Sequence, residues 1–274
     1  MLKQRLIFGF LGALAVIGII VFCPTEAVGA ILGVITLIAL GEFYNVTGLF
    51  SKKSPFMLLG FAYCLVLFIG VIIKPELVFD YAILSIVIYV FLLMSFMVLF
   101  RSKCSFSDCA LSFIGSMYIS VFFAHILLIR QLEPGKILIW ILFISAWGTD
   151  TFAYFAGRLF GKHKLCPGIS PKKTVEGAIG GTLGCIMLVC IYAYIISLVN
   201  NYQVNWLNIV VISTLSAVFS QIGDLAASCI KRENGAKDYS NLIPGHGGIL
   251  DRFDSVLLIS PLVYNLLMYL PVLK

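Results

Sequence analysis

The stretch Ser228-Cys-Ile-Lys-Arg-Glu-Asn-Gly-Ala-Lys-Asp-Tyr-Ser-Asn-Leu-Ile-Pro-Gly-His-Gly-Gly-Ile-Leu-Asp-Arg-Phe-Asp254 decides how this chain reads. It carries Lys231, Arg232, Lys237, Asp238, His246, Asp251, Arg252 and Asp254 inside a sequence that is otherwise apolar. Gly245, Gly247 and Gly248 cluster beside Pro244. Glycines let backbone N–H groups approach an anion closely. Carboxylate oxygens are the preferred ligands of Mg2+, which usually bridges to substrate phosphates. Both charge signs, an imidazole and a glycine-rich turn together point to a loop that grips phosphates and a divalent metal. A plain solvated connection between two helices would need none of this.

Around that stretch the chain is built for a bilayer. Its 274 residues are 61% hydrophobic and only 12% charged, with a mean hydropathy of +1.04. The composition predicts an all-α polytopic integral membrane protein. Nine segments approach or reach the length needed to cross, at roughly 6–22, 27–44, 55–73, 77–100, 109–130, 136–158, 177–199, 206–229 and 254–273. With the N-terminus in the cytoplasm, inner segments hold 15 of the 19 Lys and Arg residues and outer segments hold 4. That bias predicts a cytoplasmic N-terminus, a C-terminus outside and an odd number of spans. It also accounts for the +6 net charge without any nucleic-acid partner. Lys3 and Arg5 ahead of the apolar run resemble a signal peptide, but no small-x-small cleavage site follows, so the run reads as an uncleaved first helix. The eight cysteines form no CxxC pair and predict no disulfide framework.

Residues 1–135 read as a transmembrane scaffold of about five helices, and residues 136–274 as the catalytic membrane region, with cytoplasmic loops at 159–176 and 230–253. In the first part Glu42, Asp80 and Asp108 read as ordinary interfacial carboxylates. His125 reads as a packed histidine bonded to a neighbouring helix. In the second part Asp150, Tyr154 and Arg158 recur every four residues and share a helix face. A carboxylate inside a span is expensive and is a functional candidate, the alternative being a brace between Asp150 and Arg158. Ser170 before Pro171 reads as a helix N-cap with proline at the first helical position. That would place Lys172 and Lys173 in the first turn, where an anion would relieve the conflict with the helix dipole. Gly177, Gly180, Gly181 and Gly184 read as a close helix-packing stripe. Gln221, Asp224, Ser228 and Lys231 line one face leading into the charged loop. The expectation is that Asp150, Asp224, the lysine turn and the Asp251/Asp254 pair meet at one depth near the inner leaflet.

These residues resemble the signature of the phosphatidate cytidylyltransferase (CDP-diacylglycerol synthase) family. The match runs through Ser228, Lys231-Arg232, Lys237-Asp238, Pro244-Gly-His-Gly-Gly248 and Asp251-Arg-Phe-Asp254. Further blocks are the Asp150/Tyr154/Gly157 helix, Ser170-Pro-Lys-Lys-Thr-x-Glu176 and Gln221-x-Gly-Asp224. The resemblance is strong over roughly 145–273 and generic before that. It implies transfer of a cytidylyl group from CTP to phosphatidic acid, giving CDP-diacylglycerol and pyrophosphate, with Mg2+ required and a monovalent ion such as K+ as a companion. It implies Asp224 and Asp251 as metal ligands, with Asp254 and Asp238 as second choices. Lys231, Arg232, Lys237, His246 and Arg252 become candidates for the catalytic phosphate clamp. Asp150, Tyr154, Ser170, Lys172, Lys173, Thr174, Glu176, Gln221, Ser228, Gly247 and Gly248 become candidates for substrate contact. The resemblance also implies a homodimer, while the two longer inner loops put the site on the cytoplasmic side and a plasma membrane is the simplest location. Two other readings stay open on the residues alone: a CTP-dependent polyprenol or dolichol kinase, and a secondary transporter with Asp150 and Asp224 on an ion path.

Overall fold

The computed structural model describes residues 12, 14–52, 54–73, 78–101 and 105–273. Residues 6–11 and 13 of the first expected span lie outside the described residues, as do Lys3, Arg5, Lys53, Lys74, Lys103, Cys104, Lys274 and the side chain of Asp80. The chain divides into two compact units, Met1–Gln131 with Asn234–Arg252, and Leu132–Glu233 with Phe253–Lys274.

Among the described residues seven helices are long and apolar enough to cross a membrane, so the chain is a multi-pass membrane protein. The first unit contributes α1 (Thr25–Val46), α2 (Phe56–Ile73), α3 (Val78–Leu99), α4 (Phe106–Ser116) and α5 (Phe122–Gln131). One π-helical turn, Met117–Val121, joins α4 to α5, so that Phe106–Gln131 forms one span. The second unit contributes α6 (Gly135–Phe160), α7 (Val175–Asn200) and α8 (Trp206–Glu233). Helix α9 (Leu250–Tyr269) covers most of the ninth expected segment. It is not among the seven, because Asp251, Arg252 and Asp254 open it and Pro261 and Asn265 interrupt its apolar run. Large apolar side chains point outward, Phe91 at 75% exposure and Leu183 at 63%, as lipid-facing surfaces require.

The scaffold of the first unit is held by a buried hydroxyl network. Tyr44 and Tyr89 hydroxyls lie 2.8 and 2.9 Å from the Ser116 hydroxyl, and Ser112 donates to the Phe56 carbonyl at 2.8 Å. In an apolar medium each of these hydroxyls needs a partner, and here α1, α2, α3 and α4 supply them to one another. Asp108 is buried rather than merely interfacial. It closes a capping box with Ser105 and pairs with Lys52 at 2.6 Å. His125 is packed within its span, with Nδ1 2.7 Å from the Val121 carbonyl at the π turn.

In the second unit α6 and α7 pack through the expected glycine stripe. A β-carbon on Gly181 would lie 2.9 Å from both the Ala153 β-carbon and the Thr149 carbonyl, and one on Gly177 would lie 2.8 Å from the Ala153 carbonyl. The helix start expected at Ser170 is not there. Ser170–Thr174 is a strand, β2, paired antiparallel with β1 (Lys164–Cys166). The Pro167-Gly168 turn between them closes with a bond from Ile169 N–H to the Cys166 carbonyl at 3.2 Å. Helix α7 begins one turn later, and Thr174 is its N-cap, accepting from the Gly177 N–H at 3.1 Å. Capping falls to Thr174, whose hydroxyl meets the Gly177 N–H, whereas a start at Ser170 would set the Lys172-Lys173 pair against the helix dipole. This hairpin is the one departure from all-helical structure among the named elements.

Candidate functional site

Two groups of polar side chains stand out, one in each unit. The first is the loop between α8 and α9. Pro244-Gly245 makes its sharpest bend: His246 N–H donates to the Ile243 carbonyl at 2.9 Å, with Gly245 at φ +77°. Proline then glycine at the centre, the second with positive φ, is the type II turn pattern. Ile243 N–H reaches the Gly247 carbonyl at 2.8 Å, and Gly247 itself has φ +82°.

Two carboxylates hold this loop from beneath. Asp251, in the first turn of α9, accepts at Oδ2 from Tyr239 N–H at 2.8 Å and Gly248 N–H at 2.9 Å. Glu42, from α1, accepts at Oε1 from the Ser240 hydroxyl at 2.6 Å and from Ile249 N–H at 2.9 Å, and at Oε2 from Leu250 N–H at 2.8 Å. The Ile249 and Leu250 amides are among those a helix start leaves without intrahelical partners. A carboxylate in that position is also favoured by the helix dipole. Glu42 was read from sequence as an interfacial carboxylate; it is buried, at 6% exposure, and braces the loop. Gly247 and Gly248 do admit a close anion, but part of that anion is the protein's own. A β-carbon on Gly248 would lie 2.5 Å from each Glu42 oxygen, and one on Gly247 would lie 2.7 Å from Asp251 Oδ2.

Above these braces the loop lines a polar cavity of about 490 Å³, formed by Lys237, Asp238, Asn241, Gly245, His246, Gly247 and Arg252. All but Asn241 and Gly245 are residues that the sequence singled out for the site. His246 Nδ1 is buried and has no hydrogen-bond partner among the described residues. Two cations, one carboxylate, an amide and an unsatisfied imidazole nitrogen form a surface suited to a polyanion that also offers donors.

The second group lies in the other unit. Lys173 Nζ pairs with Asp224 Oδ2 at 2.6 Å, with both side chains about a quarter exposed, at 24% and 29%. The Ser228 hydroxyl approaches Asp224 Oδ1 at 3.5 Å. Asp254 Oδ1 accepts from Ser255 N–H at 2.8 Å, and the Ser255 hydroxyl donates to Asp150 Oδ2 at 3.0 Å. Asp150 and Asp224 act on Asp254 as like charges and the buried Lys231 acts on it as an opposite charge. Gly223 lets α8 meet α9 here, since a β-carbon on it would lie 2.9 Å from the Asp254 carbonyl and from the Leu258 β-carbon. Within this unit Asp150, Asp224 and Asp254 therefore lie close together with Lys173 and Lys231, whereas Asp251, also expected at that depth, belongs to the other unit. The Asp150–Arg158 brace is not what forms. Asp150 takes Ser255, while Arg158 donates to the Tyr154 hydroxyl at 3.4 Å on the exposed face of α6.

The remaining sequence candidates have observable structural tasks or open surroundings. Thr174 is the α7 cap. Glu176 accepts from the Lys162 and His163 amides at 3.1 and 3.2 Å and pairs with His163 Nδ1 at 2.6 Å, which ties down the hairpin base. Gln221 donates to the Ala178 carbonyl and the Thr182 hydroxyl at 3.3 Å each, bridging α8 to α7. Lys172 and Arg232 are exposed and Ser170 opens β2 half-buried.

Carboxylates invite the question of a metal. Among the described residues no group of three or more His, Cys, Asp or Glu side chains is gathered tightly enough to hold one unaided. Mg2+ commonly takes only one or two carboxylates and completes its shell with water and substrate phosphates, so it does not require such a group. Asp224 fits that pattern as a partly exposed oxygen donor, with the Lys173 ammonium on its Oδ2 in the place where a cation would compete. Asp251 fits less simply, because its Oδ2 is held by two loop amides.

Comparison with known proteins bears on the same residues. A phosphatidate cytidylyltransferase of Bacillus subtilis is 40% identical over 179 residues, covering 65% of this chain and 65% of that protein. Those of Staphylococcus haemolyticus and Staphylococcus aureus are 35% and 32% identical over 262 residues, covering 92% of this chain and 96% of each relative. The family described as the Cytidylyltransferase family matches residues 3–270, which takes in both polar groups and the scaffold around them. On that match the chain belongs to the cytidylyltransferase family.

Proposed function

We propose that this protein is a phosphatidate cytidylyltransferase, which joins CTP and phosphatidic acid to give CDP-diacylglycerol and pyrophosphate. The observation that carries the reading is the polar cavity on the Lys237–Arg252 loop of an otherwise apolar chain. It coincides with the signature residues and with relatives that bear that name over nearly their whole length. A phosphate oxygen of the lipid forms a bond to the α-phosphorus of CTP, and the bond from that phosphorus to the β-phosphate oxygen breaks. The nucleophile is already an anion, so no strong general base is needed. The difficulty is bringing two anions together and stabilising charge on the leaving pyrophosphate, which fixed cations and donors do best.

In this reading Lys237, Arg252 and His246 grip phosphate oxygens in the cavity, and Asn241 and Asp238 orient the bound groups. Lys231, Arg232, Lys172 and Lys173 supply positive charge to the remaining phosphates. Mg2+, when bound, would neutralise phosphate charge and polarise the reacting phosphorus. We assign it to Asp224, with Asp150 and Asp254 nearby, and to Asp251, which would share its carboxylate between metal and loop. A monovalent ion such as K+ belongs to the same proposal. So do residues 136–274 as the catalytic region on a scaffold of residues 1–135, a homodimeric assembly, a cytoplasmic N-terminus, an external C-terminus and a plasma-membrane location with the site facing the cytoplasm.

The test is release of pyrophosphate by the purified protein in detergent, with CTP and Mg2+. Release that requires phosphatidic acid and stops with EDTA supports the proposal. Release independent of phosphatidic acid, or none from folded protein, rejects it.

A further inference from the structure

Glu42 lies outside the signature residues, in the helix that sequence reading assigned to scaffold. We infer that it is a positioning residue for the reaction: its buried carboxylate sets the shape of the phosphate-gripping loop. The inference rests on the proposed function for its kinetic consequence, but its structural basis is independent of it.

Three observations carry it. First, Glu42 is 6% exposed, and the hydrogen bonds recorded for its two oxygens all run to the loop or to the first residues of α9, namely Ser240, Ile249 and Leu250. A buried carboxylate with well-aligned donors is rigid, because losing any one leaves a charged group under-solvated. Second, those contacts bracket the cavity in sequence. Ser240 lies between the cavity residues Asp238 and Asn241, and Ile249-Leu250 lies between Gly247 and Arg252. Clamping both flanks to one carboxylate fixes the separation between Lys237-Asp238 on one side and Arg252 on the other. Third, Glu42 stands on a locked support. Tyr44, two residues on in α1, is fully buried and tied by its hydroxyl to Ser116 at 2.8 Å. The absence of a side chain at Gly248 is matched to the carboxylate, with both oxygens 2.5 Å from where a β-carbon would stand. A group whose only task was to stabilise α1 would bond within its own helix or to neighbouring scaffold helices. These bonds go to the loop instead.

The experiment compares wild type, Glu42→Gln, Ser240→Ala and the double variant, all purified in the same detergent. Each is measured for transfer of α-labelled cytidylyl to phosphatidic acid, for unfolding temperature, and for backbone hydrogen exchange over the peptide spanning residues 239–250. Glutamine keeps the shape but offers one acceptor, so it cannot serve Oε1 and Oε2 donors together. We expect kcat/KM for CTP to fall about ten-fold or more for Glu42→Gln, the size of losing a hydrogen bond to a charged group. Ser240→Ala should fall less, and should add little once Glu42 is already Gln. Exchange should rise in 239–250 and stay unchanged in the helices of the scaffold. Wild-type kinetics in Glu42→Gln overturns the inference. So does a loss of activity that tracks a lowered unfolding temperature and raised exchange throughout α1, because the residue is then merely structural. Should Glu42→Gln fail to fold, Ser240→Ala decides alone: unchanged kinetics and unchanged loop exchange overturn the inference. If wild type itself transfers no label, the proposed reaction fails, and the exchange pattern still judges the loop clamp.

Discussion

Replacing Gly248 by alanine should loosen the phosphate-gripping loop by an amount that can be worked out from the structure. The added β-carbon would lie 2.5 Å from each Glu42 oxygen, where ordinary contact begins at 3.4 Å, so the two must part by about 0.9 Å. Ile249 N–H and Leu250 N–H now stand 2.9 and 2.8 Å from those oxygens. Moving the carboxylate away by that distance would take them to roughly 3.8 and 3.7 Å, beyond hydrogen-bonding range. Each bond to a charged acceptor contributes about 1.5–3 kcal/mol, and partial relaxation would return some of the sum, leaving a loss of about 2–4 kcal/mol in local stability. At about 1.4 kcal/mol per decade, amide exchange at Ile249 and Leu250 should accelerate roughly 30- to 1000-fold. The assay is hydrogen exchange read by mass spectrometry on the detergent-solubilised protein, with peptides from α2 and α7 as internal controls. Unchanged exchange at 249–250 with unchanged CTP kinetics would refute the reasoning, since it would mean that the Glu42 bonds do not hold the loop.

Other consequences follow from the same geometry. Thr174→Ala should destabilise the protein by about 0.5–2 kcal/mol through loss of the α7 cap, seen as a lower unfolding temperature, while Thr174→Ser stays near wild type. Lys173→Met and Asp224→Asn should move Mg2+ dependence in opposite directions: removing the competing ammonium lowers the half-saturating concentration, and removing the ligand raises it about ten-fold or more. Titrating Mg2+ in the pyrophosphate-release assay reads both. Gly181→Ala should cost about 1–3 kcal/mol by forcing α6 and α7 apart at Ala153 and Thr149, again measured by thermal unfolding.

How much of this was legible beforehand depended on whether a feature is local. The Pro244-Gly-His-Gly-Gly248 turn is local chemistry: a proline and glycines with positive φ can make few other shapes, and the turn could be read from five residues. The glycine stripe on α7 and the face from Gln221 to Lys231 are helical periodicity, and both survived translation into structure. Ser170-Pro171 failed because a cap is a competition between neighbouring candidates. Pairing with Lys164–Cys166, which periodicity cannot register, let Thr174 win. Glu42 was missed for a different reason. Its partners lie about 200 residues away, and a single sequence carries no trace of that distance. The one available signal was a carboxylate within an apolar helix, which by itself marks function as readily as an interface. Asn241 and Ser255 were likewise invisible, being common polar residues whose meaning comes only from the cavity and from Asp150.

The reaction itself is best judged by where the label goes. Purified protein would be given phosphatidic acid or, in a parallel reaction, a polyprenol, with Mg2+ and CTP labelled either at the α- or at the γ-phosphate, and the lipid fraction counted, with Asp251→Asn beside the parent. Cytidylyl transfer predicts α-label in lipid, γ-label in released pyrophosphate, and loss of both in the variant. Folded parent protein that puts γ-label into a polyprenol and none of the α-label into lipid would contradict it and identify a kinase instead.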